Sequence, residues 1–151
     1  MQEIKNIGLI AHDARKTDLV EWVSYNAGIL RHHNLICTGT TGQLVQGVFD
    51  GLCPEVDKVV HRLKSGPLGG DQQMGAMIVD HRIDVLVFFT DPMSMQPHDV
   101  DIKALMRISS IENIVVATTK STADFVISSP LFSQHYQPVE ADYEGYVKRM
   151  C

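Results

Sequence analysis

The clearest sign of the fold lies in residues 84–92, DVLVFFTDP. Five consecutive apolar residues, Val85–Phe89, stand between an aspartate and a Thr-Asp-Pro turn. A short run of β-branched and aromatic residues bounded in this way predicts a strand. Because the run does not alternate with polar residues, both of its faces are expected to be covered, as in a parallel sheet.

Similar runs recur on both sides of this strand. With it, the predicted strands are Ile4–Ala11, Leu35–Cys37, Val56–Leu63, Val85–Phe89 and Ile114–Ala117. Apolar residues at helical spacing predict helices over Arg15–Tyr25, Gln72–His81, Asp101–Ser110, and from Ser121 to just before Pro130. Ser121 and Asp124 have the spacing of a capping box. The alternation predicts one α/β domain over residues 1–151, a three-layer α/β/α sandwich with a five-stranded, mainly parallel sheet.

Charge and cysteine content exclude several classes of protein. The 151 residues carry a formal net charge of −5, and no basic stripe is present to neutralise a nucleic acid or a membrane surface. The sequence contains no apolar run long enough to predict a transmembrane helix, and no secretory leader is expected. Cys37, Cys53 and Cys151 are odd in number and far apart, which predicts neither a disulfide framework nor a zinc site. A cytoplasmic location fits this cysteine usage.

Polar clusters follow the carboxyl ends of the predicted strands. His12 and Asp13 follow the first strand, residues 38–42 the second, residues 64–66 the third and residues 90–92 the fourth. In open parallel sheets, ligands bind in the crevice at these strand ends. The clusters therefore predict one binding site along this edge of the sheet.

Two of these clusters have the composition of anion-binding loops. Residues 38–42, TGTTG, combine hydroxyl groups with glycines at a strand-to-helix turn, where backbone N–H groups favour an anion. Taken in isolation, these residues are better explained by a plain turn with threonine N-caps. Their spacing matches neither a Walker loop nor a dinucleotide fingerprint, which favours a compact phosphate over a nucleotide. In residues 65–71, SGPLGGD, Ser65 and the Gly66 N–H are candidate phosphate donors.

Asp71 and His98 are the candidates for chemistry. Asp71 precedes a predicted helix, so a helix N-cap explains it as well as a general base does. A helix N-terminus stabilises the carboxylate and is expected to make it a weak base. Such a base removes a proton beside a carbonyl only when another group polarises that carbonyl. His98 is the candidate polariser, with Asp101 nearby to orient it, although a solvated loop histidine beside a helix-capping aspartate is the alternative. The remaining histidines form no metal site.

Together, AHD (11–13), TGTTG (38–42), SGPLGGDQQ (65–73), DVLVFF-x-DP (84–92) and PHDVDIKALMR (97–107) closely resemble the methylglyoxal synthase family. The resemblance covers the chain from about Ile7 to about Tyr146. It implies a flavodoxin- or Rossmann-like fold, a homohexamer, and conversion of dihydroxyacetone phosphate to methylglyoxal and inorganic phosphate without metal or organic cofactor. Inorganic phosphate is then a product and an expected inhibitor.

The resemblance also implies roles for single residues. Asp71 resembles the general base, His98 the residue that hydrogen-bonds the substrate oxygens, and Asp101 its orienting partner. His12 resembles a substrate-contacting residue, and Asp13 and Asp91 resemble acids that frame the site. The implied phosphate-binding set is Lys16, Thr38, Gly39, Thr40, Thr41, Ser65 and Gly66.

The chain departs from the family pattern in a longer stretch around Asp50–Glu55 and in the register of Arg149; Arg107 matches in place and suits a subunit interface.

Two other functions remain open. One is a regulatory domain of the same fold that binds a phosphate ester without reacting. The other is a phosphosugar isomerase, which shares the enediolate but must keep the phosphate.

Overall fold

Five parallel strands form one sheet in a computed structural model that describes residues 1–52, 54, 60–94, 98–139 and 142–150. The strands are β1 (Asn6–Ala11), β2 (Asn34–Cys37), β3 (His61–Arg62), β4 (Val85–Phe89) and β5 (Val115–Ala117). The helices are α1 (Lys16–Tyr25), α2 (Ala27–Leu30), α3 (Gly39–Leu52), α4 (Gly70–Val79), α5 (Asp99–Ile111), α6 (Lys120–Ser128) and α7 (Glu144–Met150). The strand order β3-β2-β1-β4-β5 confirms the predicted five-stranded parallel sheet.

The buried strand β4 shows how the sheet divides the core into two layers. Successive side chains of a strand point to opposite faces. Val87 packs into a cluster with residues of α1, α3 and α6, while Phe88 packs into a second cluster with residues of α4 and α5. Helices therefore cover both faces, and the predicted three-layer sandwich is confirmed.

Strand order also determines where a ligand site can form. The chain moves outward from β1 to β2 and β3 on one side, then returns to add β4 and β5 on the other side. The carboxyl ends of β1 and β4 therefore adjoin at the topological switch point, where a crevice opens in sheets of this kind.

The predicted strands agree with the structure except at two ends. Strand β1 begins at Asn6 rather than Ile4, and β2, β4 and β5 agree with the predictions to within one residue. Strand β3 spans His61–Arg62, and positions 56–59 of its predicted range lie outside the described residues. The longer stretch around Asp50–Glu55 begins inside α3, and its positions 53 and 55 also lie outside them.

The sequence predicts a helix start near residues 38–42 but gives no bounds for helix α3. Its glycines and threonines have low helix propensity, so the segment gives little local signal. The helix forms because Val45, Val48 and Phe49 bury one face against the sheet. Within the part of the chain that the structure describes, no helix has the length and apolar character needed to cross a membrane.

The predicted capping box of α6 is wrong. The N-cap is Thr119, whose hydroxyl oxygen accepts a hydrogen bond from the Thr122 N–H at 3.2 Å. Ser121 lies inside the helix, and Asp124 accepts a hydrogen bond from the indole N–H of Trp22 at 2.9 Å. Asp124 therefore joins α6 to α1 rather than capping its own helix.

Replacing Asp124 by alanine is expected to lower the free energy of unfolding by about 1–3 kcal/mol, because the Trp22 indole N–H would lose its acceptor while buried. Urea denaturation measures the change. The control is Asp18→Ala, which removes an exposed ion pair with Arg15 and should change the unfolding free energy by less than about 1 kcal/mol. Equal effects of the two substitutions would contradict the role of Asp124.

Candidate active site

A cavity of about 410 Å³ opens at the carboxyl edge of the sheet, beside the ends of β1 and β4. Of the sequence-predicted site residues, all except Asp91 and Asp101 line it. Its other lining residues are Ile10, Ala11, Pro67 and Phe88, which sequence reasoning missed because apolar residues there give only a core signal. The structure thus brings three of the four predicted clusters, those after β1, β2 and β3, together with Asp71 and His98 at one site.

One end of the cavity is built from hydroxyl groups, a lysine and a helix start. Thr38 and Thr41 are buried, and the N–H groups in the first turn of α3 lack carbonyl partners within that helix. The Lys16 ammonium group contacts Asp13 Oδ1 at 2.6 Å and donates a hydrogen bond to the Thr40 hydroxyl. A fixed cation beside a helix N-terminus is a favourable environment for an anion.

The two glycine-containing loops touch each other at Gly39 and Ser65. Gly39 has φ +31°, and a Cβ atom there would lie 2.6 Å from Ser65 Cα. Its N–H donates to the carbonyl oxygens of Leu63 and Lys64 at 3.2 and 3.0 Å. Only glycine permits this approach, which places the two predicted anion-binding loops side by side.

Asp71 lies inside the first turn of α4 and not at its N-cap, which is Gly69. The residue is 3% exposed, and its Oδ2 has no hydrogen-bond partner among the described residues. Oδ2 lies 3.6 Å from His98 Nε2. An unpartnered carboxylate oxygen in a cavity wall is available to a ligand.

The sequence argument predicted that the helix N-terminus makes Asp71 a weak base, and this prediction is wrong in direction. Burial raises the pKa of Asp71 above the usual aspartate value, and the nearby histidines His98 and His12 only partly oppose it, while Asp101 raises it further. Desolvation of the carboxylate therefore outweighs the helix start. The result is a stronger base than an exposed aspartate.

His12 follows β1 and is held in one orientation. Its Nδ1 accepts a hydrogen bond from the Asp91 backbone N–H at 2.8 Å, and its ring meets Phe88 edge-on at 5.1 Å. Burial, and secondarily His98, lower the pKa of His12. The imidazole is therefore neutral with its proton on Nε2. That Nε2 is buried without a partner among the described residues, so a donor is available at the cavity wall.

The structure corrects the predicted contact between His98 and Asp101. His98 stands at the N-cap of α5 and directs Nε2 towards Asp71, while its Nδ1 has no partner in the described part of the chain. Asp101 connects to His98 through the backbone, donating its N–H to the His98 carbonyl oxygen at 2.9 Å. His98 and Asp101 are three positions apart at the start of a helix. This spacing joins their backbones by a hydrogen bond but does not bring their side chains together.

Asp91 also acts through its backbone. Its N–H holds His12, and its carboxylate Oδ1 accepts from the Met93 N–H at 3.0 Å, closing a turn after β4. The side chain does not line the cavity. Asp91 therefore acts on the site through His12, and its carboxylate does not frame the cavity as predicted.

Replacing Gly66 by alanine is expected to lower kcat/KM by roughly 10-fold or more, because small displacements of reacting groups are costly. A Cβ atom at this position would lie 3.0 and 3.1 Å from the two carboxylate oxygens of Asp71. The methyl group would displace the carboxylate and cover the N–H of residue 66. The control is Gly47→Ala, where an added Cβ meets open space. Unchanged turnover in the Gly66 variant would contradict the close approach.

Comparison with known proteins agrees with this fold. The fold is that of an MGS-like domain, and the family model of that description matches residues 18–127. The chain belongs to the methylglyoxal synthase family. The methylglyoxal synthase of Maridesulfovibrio salexigens is 50% identical over 99% of both chains, and that of Proteus mirabilis is 53% identical over 95% of this chain and 90% of its own.

A solved structure extends the comparison to three dimensions. The crystal structure of methylglyoxal synthase from Elizabethkingia anophelis superposes with a TM-score of 0.86 at 50% sequence identity. The match covers 99% of this chain and 93% of that one. The family assignment therefore includes the whole sheet and both helical layers.

Proposed function

We propose that the protein is a lyase that converts dihydroxyacetone phosphate to methylglyoxal and inorganic phosphate. The observation that carries this proposal is that Asp71 Oδ2 and His12 Nε2, both buried without a partner among the described residues, belong to the lining of one cavity. His98 lines the same cavity with its Nε2 at 3.6 Å from Asp71 Oδ2, and the hydroxyl groups and Lys16 in its lining suit an anion. Sequence similarity to proteins named methylglyoxal synthase supports the proposal.

The first step is removal of a proton from the hydroxyl-bearing carbon beside the carbonyl. Asp71 accepts this proton, and its raised pKa makes it a better base than an exposed aspartate. The electrons of the C–H bond move towards the carbonyl oxygen, and an enediolate forms. Asp101 supports the step from outside the cavity, because its charge helps to raise the pKa of Asp71.

The developing negative charge needs donors that are already in place. His12 supplies a neutral Nε2–H, fixed by the Asp91 backbone N–H at Nδ1. His98 supplies a second ring beside Asp71, at 3.6 Å. Donors that do not reorient during the reaction lower the barrier most effectively, since no reorganisation cost remains.

The second step is loss of phosphate from the enediolate. The C–O bond to phosphate breaks only when it lies out of the enediolate plane and overlaps the π system. Lys16, the hydroxyl groups of Thr38, Thr40, Thr41 and Ser65, and the N–H groups near Gly39 and Gly66 are proposed to hold this torsion and stabilise the leaving dianion. Asp13 orients the Lys16 ammonium group. The proton held by Asp71 passes to the leaving phosphate, which restores the carboxylate, and the enol left behind gains a proton at its terminal carbon and loses its hydroxyl proton to give methylglyoxal.

We also propose that the chain assembles as a homohexamer, is inhibited by inorganic phosphate and works in the cytoplasm. Exposed large apolar side chains such as Tyr25, Phe125 and Val100 support an assembly, because isolated chains rarely expose many of them together. Light scattering coupled to size exclusion measures the assembly, and a monomeric mass would contradict it.

The function is tested by giving purified protein dihydroxyacetone phosphate and measuring both products. Equal amounts of methylglyoxal and inorganic phosphate are expected. Glyceraldehyde phosphate without phosphate release would indicate an isomerase. Binding of a phosphate ester without turnover would indicate a regulatory domain, and either result would contradict the proposal.

A further inference from the structure

The peptide groups around Lys64 form a junction between the two anion-binding loops. The Lys64 carbonyl oxygen accepts the Gly39 N–H at 3.0 Å, which ties the loop after β2 to the loop after β3. The next residue is Ser65, whose Cα lies against Gly39. The position of Lys64 therefore determines where Ser65 and Gly66 face the cavity.

A side chain from α4 contacts the other side of this junction. Gln73 Oε1 accepts a hydrogen bond from the Lys64 N–H at 2.8 Å. Gln73 is itself held in the helix, where its N–H donates to the Gly69 carbonyl oxygen at 3.0 Å. The first turn of α4, which carries Asp71, is thus joined to the loop that carries Ser65.

The loop is also closed within itself. The Ser65 carbonyl oxygen accepts the N–H groups of Leu68 and Gly70 at 3.0 and 2.9 Å. The second bond ties Ser65 to Gly70, the first residue of α4, where an added Cβ atom would collide with the Lys64 carbonyl oxygen. Gln73 adds an attachment about one turn further along α4, because its side chain reaches back nine positions along the chain to Lys64.

We propose that Gln73 is a positioning residue that holds the junction of the two loops in the geometry that binds phosphate; this inference rests on the proposed function. Gln73 is not among the residues that line the cavity. It acts on phosphate through the Lys64 peptide, which in turn places Ser65, Gly66 and Gly39. The geometry between Asp71 and the phosphate end of the cavity depends on the same bond.

The test compares three variants in the intact protein. Gln73→Met keeps the length of the side chain and removes the acceptor, while Gln73→Glu keeps an acceptor oxygen. The matched control is Gln72→Met, because Gln72 is an exposed glutamine in the same turn of α4. The measurements are the Kd of inorganic phosphate by isothermal titration calorimetry, and kcat and KM for dihydroxyacetone phosphate.

Gln73→Met is expected to raise the phosphate Kd and the KM together by roughly 3- to 10-fold, the equivalent of one hydrogen bond. Gln73→Glu should restore both to within about twofold of the wild type, measured at raised ionic strength so that its added charge is screened. Gln72→Met should match the wild type. A merely structural defect would lower the active fraction, and thus the apparent kcat, without changing Kd or KM.

Two outcomes separate this inference from the function on which it rests. If the wild type produces methylglyoxal and Gln73→Met binds phosphate as tightly as the wild type, the positioning role is wrong. If the wild type produces no methylglyoxal, the proposed function fails, and the phosphate Kd of the variants still decides whether Gln73 holds the loops. Equal weakening by Gln73→Met and Gln73→Glu would also overturn the inference, because the acceptor would then be irrelevant.

Discussion

Replacing Asp71 by asparagine is expected to lower kcat by at least ~10²-fold, because the carboxamide cannot accept the substrate proton. The lysine and threonine groups proposed to bind phosphate are not altered by the substitution, and asparagine keeps the size of the side chain that lies against Gly66. The Kd of inorganic phosphate should therefore stay within about threefold of the wild-type value, as measured by calorimetry. A variant that loses turnover and phosphate binding together would contradict the assignment of Asp71 as the base.

The same substitution is expected to leave the thermal midpoint unchanged or higher. Burial raises the pKa of Asp71 in the folded state above its unfolded value. A carboxyl group shifted in this direction contributes stability below its unfolded pKa, and that contribution is lost as the pH rises through its folded pKa. At neutral pH the buried carboxylate therefore costs stability, which asparagine removes. Differential scanning fluorimetry at pH 7 checks the sign, with Asp18→Asn as an exposed control.

The pH dependence of the wild type follows from the same shift. Turnover needs the ionised carboxylate, so activity should fall as the pH falls through the pKa of Asp71. Because that pKa is raised, the acidic limb of the kcat/KM profile should lie above pH ~4, where an exposed aspartate titrates. An acidic limb at or below that pH would show that burial does not dominate at Asp71.

The architecture could be predicted because its signals are local. An unbroken apolar run such as Val85–Phe89 indicates a strand covered on both faces, and the structure buries every residue of it. The extent of helix α3 was missed because its stability comes from contacts with the sheet, which no window of sequence contains. The capping box of α6 was wrong because Thr119, rather than Ser121, is the residue whose hydroxyl accepts the helix N–H.

The residues that form the site could be predicted, whereas the contacts between their side chains could not. Parallel strands bring their carboxyl ends to one edge, so residues after β1, β2 and β3 had to meet there. Which side chains touch depends on rotamers and on a few ångströms of backbone. His98 therefore faces Asp71 rather than Asp101, and Asp91 acts on His12 through its N–H.

The direction of the Asp71 shift was mispredicted for a related reason. The helix start is visible in the sequence, and it argues for a stabilised carboxylate. The depth of burial depends on how the loops and helices close over the residue, and it is visible only in the fold. At 3% exposure, desolvation prevails.

Replacing His12 by phenylalanine is expected to lower kcat by about 10²–10³-fold, the usual loss when one preorganised donor to a developing oxyanion is removed. Phenylalanine keeps the ring that packs edge-on against Phe88, so the cavity wall should persist. It removes both the Nε2–H and the acceptor that holds the Asp91 N–H. The measurement is kcat for dihydroxyacetone phosphate under saturating conditions.

The companion variant His12→Gln separates the donor from the ring. The amide nitrogen of glutamine reaches about as far from the backbone as the imidazole Nε2 and carries N–H groups at every pH. If the neutral Nε2–H is what His12 contributes, glutamine should recover at least about 10-fold of the activity that phenylalanine loses. Burial, with His98 nearby, lowers the pKa of His12, so the wild type already works with the neutral ring. Equal loss in both variants would contradict the donor role of His12, because restoring an N–H group would then recover no activity.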